Sequence, residues 1–236
     1  MTSEEHPKDS AGLRESIGKF WAGDLGLTLV TAAVAVLVFV VTPLREAGVP
    51  GRVFVDLVVL ALMASGAVAV KQSRLSKVFL VVAVGVCGAV LAAGRLHSTP
   101  LLHELGSVLV TVTLILYIRI VLLVVFQGGA VTWNRIHGGV CAYLLMGMAW
   151  ASAFQFVEQV YPGSFRFVSI PADIDQMTSK LTYFSFATLT TVGSDIVPVH
   201  PFARSLTIAE AVTGQLFPVI LISTLVALAI QSQTKS

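Results

Sequence analysis

Charge is what this chain has least of. Of its 236 residues only 12% are Asp, Glu, Lys or Arg, while 56% are hydrophobic; an ordinary soluble domain carries about 25% charged residues. With a mean hydropathy of +0.86, the sequence reads as one whose solvent is a lipid bilayer. The 15 basic and 13 acidic side chains leave a net charge of +2 and gather at the edges of apolar runs, so no basic face or tail is offered to nucleic acid. Cysteine is scarce as well. Cys87 and Cys141 each fall inside an apolar run, which favours two small buried hydrophobes over a disulfide. His6, His97, His103, His137 and His200 are scattered mostly through connecting segments, and without paired carboxylates at membrane depth or zinc-ligand spacing they argue against an enzyme. No motif recurs in a second half, which argues against a secondary transporter.

What the chain has in plenty is long apolar runs. Six are long enough to cross about 30 Å of hydrocarbon as helices: Leu25 to Pro43, Val53 to Val70, Val78 to Gly94, Leu105 to Phe126, Gly138 to Val157 and Leu206 to Ile230. The first 24 residues mix both charge signs, unlike the short basic head of a signal peptide, and read as a cytoplasmic leader. The connections REAGVPGR, KQSRLSK, RLHSTPLLHE and QGGAVTWNRIHG are short, so successive helices become antiparallel neighbours. An inner N-terminus puts Lys8, Arg14, Lys19, Lys71, Arg74, Lys77, Arg135 and Lys235 on the inner side. Arg45, Arg52, Arg95, Arg166, Lys180 and Arg204 then lie outside. The bias favours a multi-pass cell-membrane protein with both termini cytoplasmic.

The stretch between the last two runs is not a plain loop. YPGSFRFVSIPADIDQ is rich in Pro, Gly, Ser and Asp, and then MTSKLTYFSFATLTT turns apolar again for about four turns, too short to span. This pattern predicts a re-entrant helix, capped by Asp173 or Asp175, whose carboxylate would meet free N–H groups and the positive end of the helix dipole. Non-helical backbone follows in TLTTVGSDIVP, Thr188 to Pro198. At membrane depth such backbone is tolerated only where protein buries it or where it lines a watery cavity.

ATLTTVGSDIVP, preceded by Tyr183 and Phe184 and followed by HPFARSLTIAEAVTGQLFP, resembles the pore module of the potassium channel superfamily, whose filter reads TVGYG. The likeness runs from about Arg135 to Ile230, through an outer helix (RIHGGVCAYLLMGMAWASAF), re-entrant helix, filter and inner helix. The first four spans carry no likeness beyond their position ahead of it. The resemblance implies an all-α membrane protein of six transmembrane helices, with a re-entrant pore helix and filter loop between the fifth and sixth. The domains would be a leader (1–24), a four-helix transmembrane domain (25–126) and a pore domain (127–236). One chain supplies one filter loop and four loops surround an ion, so the assembly expected is a homotetramer in lipid. It would take no cofactor and pass only K+ or other monovalent cations.

A potassium ion entering a dry passage exchanges its water shell for oxygens, and inward-pointing backbone carbonyls supply them. On this reading Thr191, Val192 and Gly193 offer carbonyl rings to K+, the Thr191 hydroxyl adds the innermost ring, Val192 turns its methyls outward, and Gly193 relieves the twist. Asp195 becomes an acidic ring at the outer mouth; its duller role is a turn residue. The family pairs this Asp with an aromatic donor eight residues before the first filter Thr, which is Tyr183 here. Thr190 and Thr191 have an alternative too, hydrogen bonding back onto the re-entrant helix. Gly214 lies nineteen residues after Asp195, the spacing of the family's inner-helix hinge; the alternative is a small residue for close packing. Pro218 is expected to kink the same helix, and Gln215 to face a cavity or another helix rather than lipid.

Where the family reads TVGYGD this chain reads TVGSD, so Ser194 stands where Tyr and a second Gly are expected. K+ should still permeate, with Na+ excluded less well. The fourth span carries a single arginine, Arg119, and one charge moving through the field is worth about 2.3 kcal/mol per 100 mV, so voltage dependence should be weak. Only QSQTKS follows the last span, so gating is expected through the membrane helices, the leader or the filter. The alternative function is a non-conducting structural or regulatory membrane protein that keeps a pore-like loop.

Overall fold

A computed structural model describes residues 24–43, 85–86, 88–90, 100–126 and 132–233. The leader up to residue 23, the expected second span, most of the third, and Cys87 lie outside the described residues. Helix α1 (Asp24–Val36) passes directly into a π-helical turn, Leu37–Val41. It is followed by α2 (Pro100–Val125), α3 (Trp133–Val160), strand β1 (Phe165–Arg166), α4 (Ile174–Leu189), strand β2 (Val197–Pro198) and α5 (Pro201–Gln233).

Leu101–Val125, Trp133–Val160 and Pro201–Gln231 are long and apolar enough to cross a membrane. They fall on the runs expected as the fourth, fifth and sixth spans, and an all-α membrane protein fits them. Each helix outruns its apolar stretch. RLHSTPLLHE and QGGAVTWNRIHG, expected as connections, are helical from Pro100 and Trp133 onward. Pro100 and Pro201 each open a helix, the position where a missing N–H costs nothing and φ is already set. In the first apolar run, Thr42 N–H bonds to the Leu37 carbonyl, the i→i−5 spacing of a π turn, and the Thr42 hydroxyl donates to the same carbonyl at 3.0 Å.

Helix α3 is the hub: α1, α2, α4 and α5 all pack on it. Its sequence explains this. Gly138, Gly139, Ala142, Gly147, Ala149, Ala151 and Ser152 are buried along its length, and small residues let neighbouring backbones come close. A Cβ on Gly139 would lie 2.6 Å from Leu221 Cδ2 of α5, and one on Gly147 would lie 2.6 Å from Phe186 Cζ of α4. Polar ties also join the helices. Ser152 donates to the Ser107 carbonyl at 2.9 Å, Ser107 to Gln159 Oε1 at 2.9 Å, and Thr31 to the His137 carbonyl at 3.0 Å. Ser179 of α4 donates to the Thr42 carbonyl at 3.2 Å, so the first apolar segment braces α4 of its own chain.

Two cores result. Val30, Val34, Val38, Leu114, Tyr117, Val121 and Cys141 belong to one, where α1, α2 and α3 meet; Cys141 is a free thiol. The other gathers Phe154, Val157, Phe165, Leu181, Phe184, Ile196 and Ala203. Phe154, Phe165 and Phe184 meet pairwise at 5.1 to 5.5 Å with ring planes 67 to 70° apart, the edge-to-face geometry aromatic quadrupoles favour. This second core lies beneath the turn between α4 and α5.

Candidate functional site

Helix α4 is the platform of that turn. Of the two candidate caps, Asp173 is the one used: it is extended (φ −149, ψ 177) and its side chain accepts from Gln176 N–H at 2.9 Å. Gln176 Oε1 accepts in return from Ala172 N–H at 3.0 Å, a reciprocal arrangement akin to a capping box. Asp175 lies in the first turn, where its charge suits the dipole. The helix runs 16 residues, about 24 Å at 1.5 Å per residue, short of a bilayer's hydrocarbon thickness.

The last four carbonyls of a helix lack partners within it, and here all four are answered. The Phe186 carbonyl accepts Thr190 N–H at 3.0 Å and the Thr190 hydroxyl at 2.7 Å. Ala187 accepts Val192 N–H at 2.9 Å and Gly193 N–H at 3.2 Å, and Thr188 accepts Thr191 N–H at 3.0 Å. Leu189 accepts the Tyr143 hydroxyl of α3 at 3.3 Å. The Val192 and Thr191 bonds are those of a Schellman closure, whose left-handed residue is usually glycine. Here it is Thr191, φ 58, the one non-glycine residue with positive φ among those described. A β-branched side chain in that region costs about 1–3 kcal/mol and marks a constrained position.

The closure fixes where the next carbonyls point. All described peptides are trans, and in a trans peptide N–H and C=O point in opposite directions. Because the N–H groups of Thr191, Val192 and Gly193 turn toward the end of α4, the carbonyls of Thr190, Thr191 and Val192 turn away from it. Three successive carbonyls therefore leave the helix end on one side, whereas a regular strand sends them alternately to both. Gly193, φ 88, continues the twist as only glycine readily does. The Thr190 hydroxyl bonds back onto the helix, the alternative weighed for both threonines. Thr191 does not: its Oγ1 accepts from Gln215 Nε2 at 3.2 Å. Val192 packs on little in the single chain and is 82% exposed.

Beyond Gly193 the chain turns tightly. Ser194 Oγ accepts Ile196 N–H at 3.0 Å, an ordinary serine turn. Asp195 is exposed. The expected Tyr183–Asp195 hydrogen bond is not formed within the single chain, where Tyr183 is 56% exposed. Ile196 instead anchors the turn by entering the aromatic core. β2 then pairs antiparallel with β1, Phe165 opposite Pro198 and Arg166 opposite Val197. Glu158 at the end of α3 accepts the N–H groups of Gly163 at 2.8 Å and Phe165 at 3.0 Å. Tyr161, His200 and Phe202 stack beside this clip at 4.6 to 6.0 Å.

Helix α5 runs unbroken through Gly214 and Pro218. At Gly214 close packing is the feature observed: a Cβ would lie 2.1 Å from the Leu189 carbonyl oxygen, so the replaced hydrogen points at that oxygen, as in a Cα–H···O contact. Pro218 has no N–H to offer the Gly214 carbonyl four residues earlier. The sequence reading passed over Glu210, which is 0% exposed. The Ser185 hydroxyl lies 2.7 Å from the Gly147 carbonyl and 2.5 Å from Glu210 Oε1. The hydroxyl faces two acceptors, the Gly147 carbonyl and the Glu210 carboxyl oxygen, and shares its one proton between them. Helices α3, α4 and α5 are thus joined through one hydroxyl, with Glu210 Oε2 left unpartnered. The available signal was a lone acid at depth in an apolar helix, which is a functional flag by default.

Residues 108–231 match the family model described as an ion channel. No curated protein and no solved structure matches the chain.

Proposed function

This chain belongs to the ion channel family, and on that premise we propose that it forms a homotetrameric, potassium-conducting cation pore. Thr191, Val192 and Gly193 form its filter, Ser194 closes the filter's outer end and Asp195 makes an acidic ring at the mouth. The observation that carries this is the row of carbonyls from Thr190 to Val192 on one side of the α4 terminus, since a dehydrated cation needs successive carbonyls facing one axis. The negative end of the α4 dipole lies at the same place and favours a cation there.

A single chain leaves this constellation half built. Val192 is bare, and α5 shows Ile208, Val212, Leu216, Val219 and Ile220 to its surroundings. Three further copies around an axis would close the carbonyl rings and cover Val192, and lipid takes what remains of the apolar face. With Ser194 in place of Tyr and Gly, one carbonyl ring is missing from the outer half. Potassium therefore permeates with weaker exclusion of sodium than in TVGYG pores.

The test is the reversal potential of purified full-length protein in planar bilayers, with K+ and Na+ on opposite sides. The expected result is a cation current that reverses short of the potassium equilibrium potential. Reversal at that potential would refute reduced selectivity. Silence in bilayers, joined to absence of thallium flux into vesicles, would refute conduction and favour a non-conducting membrane scaffold.

A further inference from the structure

We propose that Gln215 sets how tightly the innermost filter ring holds a cation, and so is a specificity-determining residue of this pore. The inference rests on the reading of Thr191 to Gly193 as a filter. Its observation is the bond from Gln215 Nε2 to Thr191 Oγ1 at 3.2 Å, which joins the helix lining one side of the turn to the hydroxyl at the turn's start. The depth of Gln215 is fixed by its neighbour, because Gly214 is pressed against the Leu189 carbonyl and α5 cannot slide past the end of α4. Both side chains are exposed in the single chain, so the bond faces open space and not the packed interior.

A hydroxyl oxygen has two lone pairs. The amide of Gln215 occupies one of them and lays the positive end of an N–H dipole beside the other. A cation at the Thr191 ring therefore meets one free lone pair per chain in a weakened field. The neighbouring Thr190 hydroxyl gives no compensation, since it donates to the Phe186 carbonyl at 2.7 Å. The innermost site is made shallow, which speeds exchange with water below the filter and lowers its preference for any one cation. A divalent ion feels the same change twice over, because its charge is doubled.

Barium, a divalent ion of nearly potassium's size, is the probe. It is added to full-length protein in planar bilayers on the side where α5 ends, and block of the potassium current is titrated for wild type, Gln215→Met, Gln215→Asn and Gln215→Glu. Methionine keeps the length and removes the donor; asparagine keeps the amide but is one methylene short. Both should raise the apparent barium affinity about three- to tenfold, the range set by one net hydrogen bond. Gln215→Glu should raise it further, since a carboxylate only accepts from Thr191 and adds charge. Asparagine tells the bond from mere polarity: if polarity alone matters it behaves as wild type. Potassium current with wild-type block in both Met and Asn variants would overturn the inference and leave the channel reading intact. Should the Met variant not assemble, the Asn variant decides by the same criterion. A wild type that passes no cation current would take down the channel reading and this inference together.

Discussion

Replacing Gly214 by alanine asks whether that glycine is a hinge or a contact. An added Cβ would lie 2.1 Å from the Leu189 oxygen, 2.9 Å from its carbonyl carbon and 3.0 Å from its Cα. A carbon–oxygen contact wants about 3.3 Å, so α5 and the end of α4 must part by about 1 Å. All three atoms are backbone at the Schellman closure, and none can rotate away. Overpacking of this kind costs about 1–3 kcal/mol, more where nothing yields; alanine's better helix propensity returns about 1 kcal/mol.

Two other glycines of the bundle serve as internal controls. At Gly147 the added carbon meets the Phe186 ring at 2.6 to 3.0 Å, and at Gly139 it meets the end of the Leu221 side chain at 2.6 to 3.3 Å. A leucine tip swings aside, a ring in a packed core tilts with difficulty, and a backbone carbonyl does neither. The expected order of destabilisation is Gly214→Ala, then Gly147→Ala, then Gly139→Ala. The net loss is about 2 kcal/mol for the first and near zero for the last. The assay is the fraction of assembled protein surviving a heating series in detergent, read by size exclusion, with bilayer current measured alongside. A Gly214→Ala variant as heat-resistant as Gly139→Ala, changed only in open probability, would refute the contact and restore the hinge.

Asp173→Ala should cost about 1 kcal/mol in the same heating series through loss of the cap, whereas Asp173→Asn should stay close to wild type. Ser185→Ala should cost about 1–3 kcal/mol, because it strips the Gly147 carbonyl and Glu210 of their shared donor; Glu210→Gln, which keeps an oxygen acceptor for the Ser185 hydroxyl, should cost less. Glu158→Ala should speed amide hydrogen exchange at Gly163 and Phe165 while leaving the N–H groups at the α4 terminus unchanged. Equal exchange at all these sites would show that the carboxylate does not hold the clip.

The parts legible in the sequence were those where composition changes abruptly. TLTTVGSDIVP is polar between two apolar runs, and Asp173 precedes an apolar stretch in the way a cap must, so the platform and its turn could be placed before any coordinates. Helix ends were less legible, because hydropathy marks only the apolar runs while Pro100, Trp133 and Pro201 start their helices ahead of them. The π turn at Leu37–Val41 left no trace, since LVFVV suits any buried helix. Spacing found Gly214 but could not tell a hinge from a contact, which depends on what approaches it. Contacts between residues far apart in sequence were invisible: Phe154, Phe165 and Phe184 come from three elements, and nothing in the period of any one announces a shared core. Glu210 stands out in the sequence only as a lone acid, because its partner Ser185 lies 25 residues away on another helix.

The aromatic core bears on the proposed filter, which beside TVGYG would lack two separable things. One is a carbonyl ring, for want of a second glycine. The other is the lateral brace that a tyrosine ring gives the filter, and Ile196 supplies a brace of its own. It is 6% exposed, it enters the cluster of Phe154, Phe165 and Phe184, and Ser194 Oγ holds its N–H at 3.0 Å. The outer end of the turn is therefore pinned from one residue beyond Asp195. Trimming Ile196 should loosen it in proportion to the cavity left: Ile196→Val at about 0.5–1.5 kcal/mol and Ile196→Ala at about 2–5 kcal/mol of stability, with the sodium-to-potassium permeability ratio rising in that order. Ser194→Tyr adds an aromatic ring without a glycine and should leave the ratio where it is, whereas Tyr-Gly inserted in place of Ser194 should lower it by restoring the missing carbonyls. An Ile196→Ala protein that is destabilised as expected yet keeps the wild-type ratio would show that the brace does not govern selectivity. A Ser194→Tyr protein as selective as the insertion would show that the ring, and not the glycine, was what the shortened filter lacked.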